Sequence, residues 1–415
     1  MNHVVVVGAS LAGMRACETL RDSGHSGEIT LVGAEHHRPY DRPPLSKRLL
    51  LGDWEPERIQ LRSNDAFDAL NLNFKPGVVA TGLSVASRTI TLDGPSVGAR
   101  ADHQAQEMSF DGLVIATGGI PRRLPRQPEL IGLHLLRSID DSISLRQELQ
   151  NGIRVVVIGA GFIGLEVAAT ARQRGCEVVI LEGLASPLLR VVGETIGQVI
   201  ARLHESHGVH IRCDIEVRRI IGADVVSGVE LGDGSVIPAD VVVVGIGVEP
   251  ATHWLESSEL SINNGVVCDA TLNVGVPGIY AAGDVARWPN ALYVSEEPTM
   301  RIEHWTNAAE QGAHAARNLL ATWRGDNAEP YISVPFFWSN QFEARIQFLG
   351  RATPDDEMKF AVGDVKTGKL VALYHRSERL RGVLGISMPK AVMSCRTMLA
   401  ERATLSDVMA MLNSL

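Results

Sequence analysis

Val155-Val156-Val157-Ile158-Gly159-Ala160-Gly161-Phe162-Ile163-Gly164-Leu165-Glu166 decides the fold. Four β-branched residues make a buried strand, and the glycines that follow have Gly-x-Gly-x-x-Gly spacing. Gly159 allows a tight turn, Gly161 lets backbone approach a pyrophosphate, and Gly164 lets the next helix pack close to the strand. That helix aims its first N–H groups at the phosphates. It is expected to run to about Arg174, where Gly175 ends it. A second strand, Glu177 to Leu181, leads to Glu182. An acid there accepts hydrogen bonds from both hydroxyls of an adenine ribose and repels a 2′-phosphate, which predicts NAD(H) over NADP(H).

The chain opens on the same plan. His3-Val4-Val5-Val6-Val7 reads as a strand, then come Gly8-Ala9-Ser10-Leu11-Ala12-Gly13 and a helix to about Ser23. Ser10 replaces the middle glycine. A strand from Glu28 to Val32 leads to Gly33-Ala34-Glu35, and Glu35 is the acid placed to hold a ribose. Two dinucleotide modules in one chain suggest two dinucleotides, and a flavin with a nicotinamide is the common pairing. The fold expected is therefore α/β, with two Rossmann-like domains.

At 415 residues the chain is long enough for two or three domains. Its 45% hydrophobic and 21% charged content is that of a soluble globular protein. A net charge of −9 argues against nucleic acid or an anionic membrane surface as partner. No apolar run approaches transmembrane length. No basic leader precedes the first strand, so a cytoplasmic location is expected. The cysteines, Cys17, Cys176, Cys213, Cys268 and Cys395, are dispersed and form no Cys-x-x-Cys pair. Neither a metal site nor a redox disulfide is expected from them.

Between the two modules, Arg38-Pro39-Tyr40-Asp41-Arg42-Pro43-Pro44-Leu45-Ser46-Lys47 is stiffened by its prolines. It reads equally as a rigid wall for a flat cofactor beside Lys47 or as a solvated turn. The apolar strand before Ala116-Thr117-Gly118-Gly119 ends in a crossover. The central module then fills about 120 to 245 and closes on Val241 to Gly247, where Gly247 and Val248 can line a nicotinamide groove. In Ala282-Gly283-Asp284 the acid can accept from a ribityl hydroxyl, or it is an ordinary strand-end turn. A helix is expected from Glu303 to about Leu320. After Arg324-Gly325-Asp326-Asn327, alternating segments suggest a small, mainly antiparallel sheet: Tyr331 to Trp338, Ala344 to Leu349, Lys359 to Val362, Leu370 to Tyr374 and Leu380 to Ile386. Two helices, Pro389 to Arg402 and Leu405 to Leu412, close it. Phe336-Phe337-Trp338 is either a cover for a flavin face or a hydrophobic corner.

Taken in order, five stretches resemble a known family. They are Pro39 to Lys47, Ala116 to Gly119, Gly161 to Glu166, Ala282 to Asp284 and Phe336-Phe337-Trp338-Ser339. The chain resembles the NADH-dependent ferredoxin reductases of the glutathione-reductase-like flavoproteins, those that serve cytochromes P450 and aromatic-ring dioxygenases. The resemblance implies an FAD-binding domain of residues 1–115 and 247–325, an NAD-binding domain of 116–246 and a C-terminal interface domain of 326–415. It implies FAD contacts at Gly8, Ser10, Ala12, Gly13, Glu35, Arg42, Lys47, Ala80, Ala116, Thr117, Gly118, Arg137, Gly283, Asp284, Trp305 and Trp338. In close relatives the ribose acid sits one place earlier, where this chain has Ala34. NAD(H) contacts are implied at Gly159, Gly161, Phe162, Ile163, Gly164, Glu166, Glu182 and Gly247.

The implied reaction is hydride transfer from NADH to FAD, followed by one-electron steps to a two-iron two-sulfur ferredoxin. Lys47 would balance charge on the reduced ring, Glu166 would pair with it, and Pro44 would sit in the wall beside them. Residues 36–60 hold no cysteine, so electrons cannot leave by the disulfide exchange that some flavoproteins of this class use. Arg287, Arg301 and Arg345 read as candidates for a basic ferredoxin rim or as scattered surface charge. A monomer or weak homodimer is expected. Two other readings fit the same scaffold: an NADH oxidase or small-acceptor reductase, and a redox-sensing flavoprotein of the apoptosis-inducing type.

Overall fold

The computed structural model describes residues 1–94, 105–295 and 297–414. The elements that position the site begin with β1 (His3–Val7), α1 (Leu11–Asp22), β2 (Glu28–Gly33), β3 (Asn73–Pro76) and β4 (Gly112–Ile115). Next come β5 (Leu133–His134), α2 (Ile139–Glu148), β6 (Arg154–Ile158), α3 (Phe162–Gln173), β7 (Glu177–Leu181), α4 (Leu189–Ser206), β8 (Val209–Arg212) and β9 (Val241–Val244). The chain continues through β10 (Ile279–Ala281), α5 (Trp305–Arg324), β11 (Phe336–Gln341), β12 (Ala344–Gly350), β13 (Glu357–Asp364), β14 (Lys369–Arg376) and β15 (Arg379–Ile386). It closes with α6 (Pro389–Ala400) and α7 (Leu405–Asn413).

Two units share these elements. One comprises residues 1–41, 59–120 and 249–335; the other comprises 42–58, 121–248 and 336–415. The proline-rich segment from Arg42 to Arg58 thus clusters with the second unit, apart from the residues on either side of it.

The first unit is built on a parallel sheet of order β10-β4-β1-β2-β3. A parallel strand covered on both faces must be apolar along its length. Val4, Val5 and Val6 meet that demand, with no exposed surface. Burying each such side chain contributes roughly 1.5–3 kcal/mol. Helices α1 and α5 cross closely because both carry small residues. A Cβ on Gly312 would stand 2.1 Å from the Ala12 carbonyl oxygen.

The second unit repeats the plan as β8-β7-β6-β9-β5, again parallel. Helix α3 stops at Gly175, whose φ of +87° suits glycine. Ser138 and Asp141 form a capping box at the start of α2. The C-terminal five-stranded sheet, β11-β12-β15-β14-β13, is antiparallel throughout. One continuous core joins these two five-stranded sheets, with Val157, Leu165 and Ile180 on one side and Ile346, Phe348 and Leu384 on the other. Leu50, from the proline-rich segment, belongs to the same core.

The α/β architecture with two Rossmann-like sheets and an antiparallel C-terminal sheet is the one expected from the sequence. The differences in element bounds are largest at two elements. Strand β11 begins at Phe336 rather than Tyr331, because Pro335 has no N–H to give a ladder. Helix α5 begins at Trp305, after an extended His304, and continues to Arg324.

Candidate functional site

Both glycine turns are fixed by the same close contacts. In the first unit the Gly8 N–H donates to the Val32 carbonyl, and Val7 pairs with Val32. In the second, Gly159 N–H donates to Leu181, and Ile158 pairs with Leu181. Gly8 and Gly159 have φ of +118° and +102°. A Cβ on Gly13 would lie 1.9 Å from the Gly8 oxygen, and one on Gly164 would lie 2.1 Å from the Gly159 oxygen. The outer glycines are therefore obligatory.

The middle position is different. A Cβ on Gly161 meets nothing closer than the Gly245 oxygen at 3.9 Å. An open middle position of this kind leaves room for a side chain, and the first turn carries Ser10 at the corresponding place. Neither N-cap residue, Ser10 of α1 or Gly161 of α3, makes a side-chain capping hydrogen bond. That arrangement fits a pyrophosphate, which would accept from the first backbone N–H groups.

The acids beyond the second strands are not equivalent. Glu182 directly follows β7. Its Oε2 accepts from the Ala160 N–H at 2.6 Å and its Oε1 from the Leu184 N–H at 2.9 Å. A carboxylate has further lone pairs, which can accept from other donors such as hydroxyls. The matching place in the first turn is Gly33, where a Cβ would stand 2.6 Å from the Ala9 Cβ. No acidic side chain fits there, so the acid comes later, at Glu35. The Tyr40 hydroxyl donates to Glu35 Oε2. Asp41 is beside Tyr40 in sequence and accepts from the Trp305 indole Nε1 at 2.6 Å. Trp305 thus bonds a protein carboxylate through its side chain, a link that composition alone did not signal.

The remaining residues of the first unit cluster at the C-terminal ends of β4 and β10. Ala116 N–H donates to Val7, and Ala282 N–H donates to Ile115. Thr117 Oγ1 donates to the Ala251 carbonyl at 2.9 Å. Gly118 and Gly283 have φ of +69° and +79°. The Gly283 N–H donates to Gln311 Oε1 at 2.9 Å, while the buried Gln311 Nε2 has no acceptor among the described residues. A buried amide N–H without an acceptor is costly, and one here fits a cofactor oxygen. Asp284 is half-buried, and its carbonyl accepts from Arg301 at 3.0 Å. Ala80 lies buried on the strand Val79–Ser84, away from these turns in sequence.

In the second unit Lys47 and Glu166 form the central pair. Lys47 Nζ is 2.7 Å from Glu166 Oε2. The Ser46 hydroxyl donates to the same oxygen, and Ser339 donates to Oε1 at 2.6 Å. Pro44 is buried in the short 3-10 turn Pro43–Ser46 that carries Lys47 at its end. Thr170, one helical turn beyond Glu166, donates to the Ser46 carbonyl at 2.8 Å and fixes that turn on α3. Arg42 donates to the Arg137 carbonyl. Phe162 packs edge-on against Phe337 at 4.6 Å, and Ile163 is left 48% exposed at the turn. An apolar side chain so placed can cover a ring. Gly247, at φ +98°, has nothing within 4 Å of a would-be Cβ. Trp338 is half-buried and stacks on Phe336.

Ser46 and Ser339 were inside the quoted motifs, but only the fold shows that both serve Glu166. Of the three rim candidates, Arg301 pairs with Glu303 at 2.7 Å and Arg287 donates to Thr299; only Arg345 is exposed. All five cysteines are free, and no group of three metal-ligating side chains occurs among the described residues. No described helix is long and apolar enough to cross a membrane.

The chain matches known families along most of its length. Residues 2–312 match the family described as pyridine nucleotide-disulphide oxidoreductase, and residues 336–412 match the Reductase C-terminal family. Rhodocoxin reductase of Rhodococcus erythropolis is 35% identical, over 98% of this chain and 91% of its own. The ferredoxin–NAD(+) reductase component of the p-cumate 2,3-dioxygenase system of Pseudomonas putida is 31% identical, over 97% and 94%. Among solved structures, putidaredoxin reductase in its covalent complex with putidaredoxin superposes with a TM-score of 0.88 at 32% identity, covering 97% of this chain and 93% of that one.

Proposed function

We propose, from the premise that this chain belongs to the pyridine nucleotide-disulphide oxidoreductase family, that it is an FAD-containing NADH:ferredoxin oxidoreductase. Relatives that match over nearly the whole chain include a ferredoxin reductase of a dioxygenase system and one of a P450-type system. The observation that carries the reading is the repeated turn. Two strand–glycine–helix units of matching register occur in one chain, and only the second has an acid directly at its strand end. One turn therefore suits the pyrophosphate of FAD and the other that of NADH.

Residues 1–115 and 247–325 are assigned to FAD, 116–246 to NAD(H), and 326–415 to the partner-facing domain. Bound FAD would supply the hydride acceptor and release electrons singly. The chain's own residues bind and orient. Glu182, already held by two backbone N–H groups, takes the adenine ribose and excludes a 2′-phosphate. Gly159, Gly161 and Gly164 admit the pyrophosphate, with Phe162, Ile163 and Gly247 beside the nicotinamide. Glu35 takes the FAD ribose, and Asp284 takes the ribityl chain. Gly8, Ser10, Ala12, Gly13, Ala80, Ala116, Thr117, Gly118 and Gly283 form the FAD cradle, with Arg42, Arg137 and Trp305 as further contacts. Lys47 balances negative charge as hydride arrives, Glu166 is its counter-ion, and Pro44 stiffens the turn that presents it. Trp338 belongs to the electron exit.

We take the acceptor to be a two-iron two-sulfur ferredoxin because the chain is similar to ferredoxin reductases, one of them solved in complex with putidaredoxin; the cysteine-free stretch 36–60 argues only against exit through a disulfide there. The test is NADH-driven reduction of such a ferredoxin by the purified protein, followed at the cluster's visible bands. Oxidation of NADH with oxygen as the sole electron acceptor, and an unreduced ferredoxin, would reject this acceptor.

A further inference from the structure

Outside the glycine turns, a chain of hydrogen bonds runs through the second unit into Glu166. His204 Nε2 lies 2.9 Å from Gln341 Oε1. Gln341 Nε2 donates to Ser339 Oγ at 3.1 Å, and Ser339 Oγ donates to Glu166 Oε1 at 2.6 Å. His204 and Gln341 have no exposed surface, and Ser339 and Glu166 are 1% and 3% exposed. The link depends on strand alternation. Ser339 and Gln341 occupy one face of β11 with Phe337, while Trp338 is on the other. The His204 ring is placed edge-on against Phe342 at 5.1 Å.

The polarity of the chain is forced from one end. A carboxylate only accepts, so the single hydroxyl hydrogen of Ser339 must go to Glu166. Ser339 then has only lone pairs to offer Gln341, which must present its NH2 group. This turns Gln341 Oε1 toward the ring, and the ring must donate from Nε2. Nδ1 is left without a hydrogen, and it is the ring atom that has no partner among the described residues.

We propose that His204 is a positioning residue for Glu166. As the neutral Nε2–H tautomer it fixes Gln341, Gln341 fixes Ser339, and Ser339 pins one carboxylate oxygen while Lys47 and Ser46 hold the other. Glu166 is thereby clamped at both oxygens and cannot rotate away from Lys47. The inference rests on reading the Lys47–Glu166 pair as part of the hydride-transfer machinery.

Two measurements on the FAD-loaded protein test it. In the first, nitrogen NMR of protein carrying ¹⁵N-histidine should show a neutral ring protonated at Nε2 at pH 7, assigned by its loss in His204→Gln. A ring protonated at Nδ1 would overturn the chain. In the second, flavin reduction by NADH is followed in single turnover. His204→Leu should slow it roughly three- to tenfold, the size of one hydrogen bond. His204→Gln, which keeps an N–H donor, should restore most of the rate. His204→Leu added to Ser339→Ala should be no slower than Ser339→Ala alone. Additive losses without rescue by Gln would mean that His204 acts only by packing, and would refute the proposal. The tautomer and the Gln variant keep the test open should the Leu variant not fold. If the wild-type flavin is not reduced by NADH at all, the reading of the pair fails, and the tautomer result still decides the hydrogen-bond chain.

Discussion

Lys47 Nζ lies 2.7 Å from Glu166 Oε2, joining residues 119 apart in the chain, and the glutamate is only 3% exposed. A buried ion pair adds little over an apolar pair, but removing one member strands the other charge. Lys47→Met should therefore destabilise the protein by about 3–5 kcal/mol in urea unfolding. It should also slow flavin reduction. Lys47→Met combined with Glu166→Leu should regain much of the stability and none of the rate. Equal stabilities for the single and double variants would remove the stranded-charge argument.

Glu182 is held by the Ala160 and Leu184 N–H groups before any ligand arrives. Replacing it with serine keeps a small polar group and removes the charge. The ratio of kcat/KM for NADH to that for NADPH should fall by about tenfold or more, the worth of hydrogen bonds to a charged group. An unchanged ratio would take the ribose role away from Glu182.

The three glycines of the second turn should respond differently to substitution. Gly164→Ala puts a Cβ 2.1 Å from the Gly159 oxygen and should lower the melting temperature sharply. Gly161→Ser puts its Cβ where the nearest atom is 3.9 Å away, and the variant should fold like wild type. Its cost should appear in KM for NADH, because the side chain enters the space left for the pyrophosphate. Circular-dichroism melts and steady-state kinetics on both variants check the pair.

Burial lowers the His204 imidazole from its ordinary 6.5 to about 4; the Gln341 hydrogen bond opposes this, and the neighbouring His207 adds to it. His207 is itself 3.1 Å from Glu343. Between pH 6.5 and 4 the unfolded chain binds a proton at this ring and the folded chain does not. Stability is therefore full above 6.5 and falls as pH drops, by on the order of 3 kcal/mol at pH 4. Urea midpoints across that range should drop in the wild type and drop less in His204→Gln. Asp111 and Asp240, both held below their ordinary range by hydrogen bonds, act in the same sense at lower pH.

What could be read in the sequence was whatever is local. Runs such as Val4 to Val7 and Val155 to Ile158, with the glycines after them, carry their own conformational reasons, so the strands and turns were expected within a residue or two. The start of β11 was missed by reading alternation through Pro335, which has no N–H to give. Lys47 and Glu166 stood inside recognisable motifs. Their hydroxyl partners did not stand out, because a serine has no signature until the fold says which carboxylate it faces. His204 and Gln341 lie further still from any motif. A lone histidine on a helix and a glutamine on a strand are ordinary until α4 and β11 are packed in one core. Glu35 was legible as an acid after the second strand, but why no acid stands at Gly33 needed coordinates, since a Cβ there would meet the Ala9 side chain.

The most direct test of the central claim is an anaerobic experiment on the purified, FAD-loaded protein. NADH is added first and a two-iron two-sulfur ferredoxin second, with the flavin and cluster absorbances followed in time. The account predicts that NADH bleaches the flavin, NADPH does so far more slowly, and the bleached protein then reduces the ferredoxin. A flavin that NADH leaves oxidised, or a reduced flavin that passes nothing to the cluster, would contradict it.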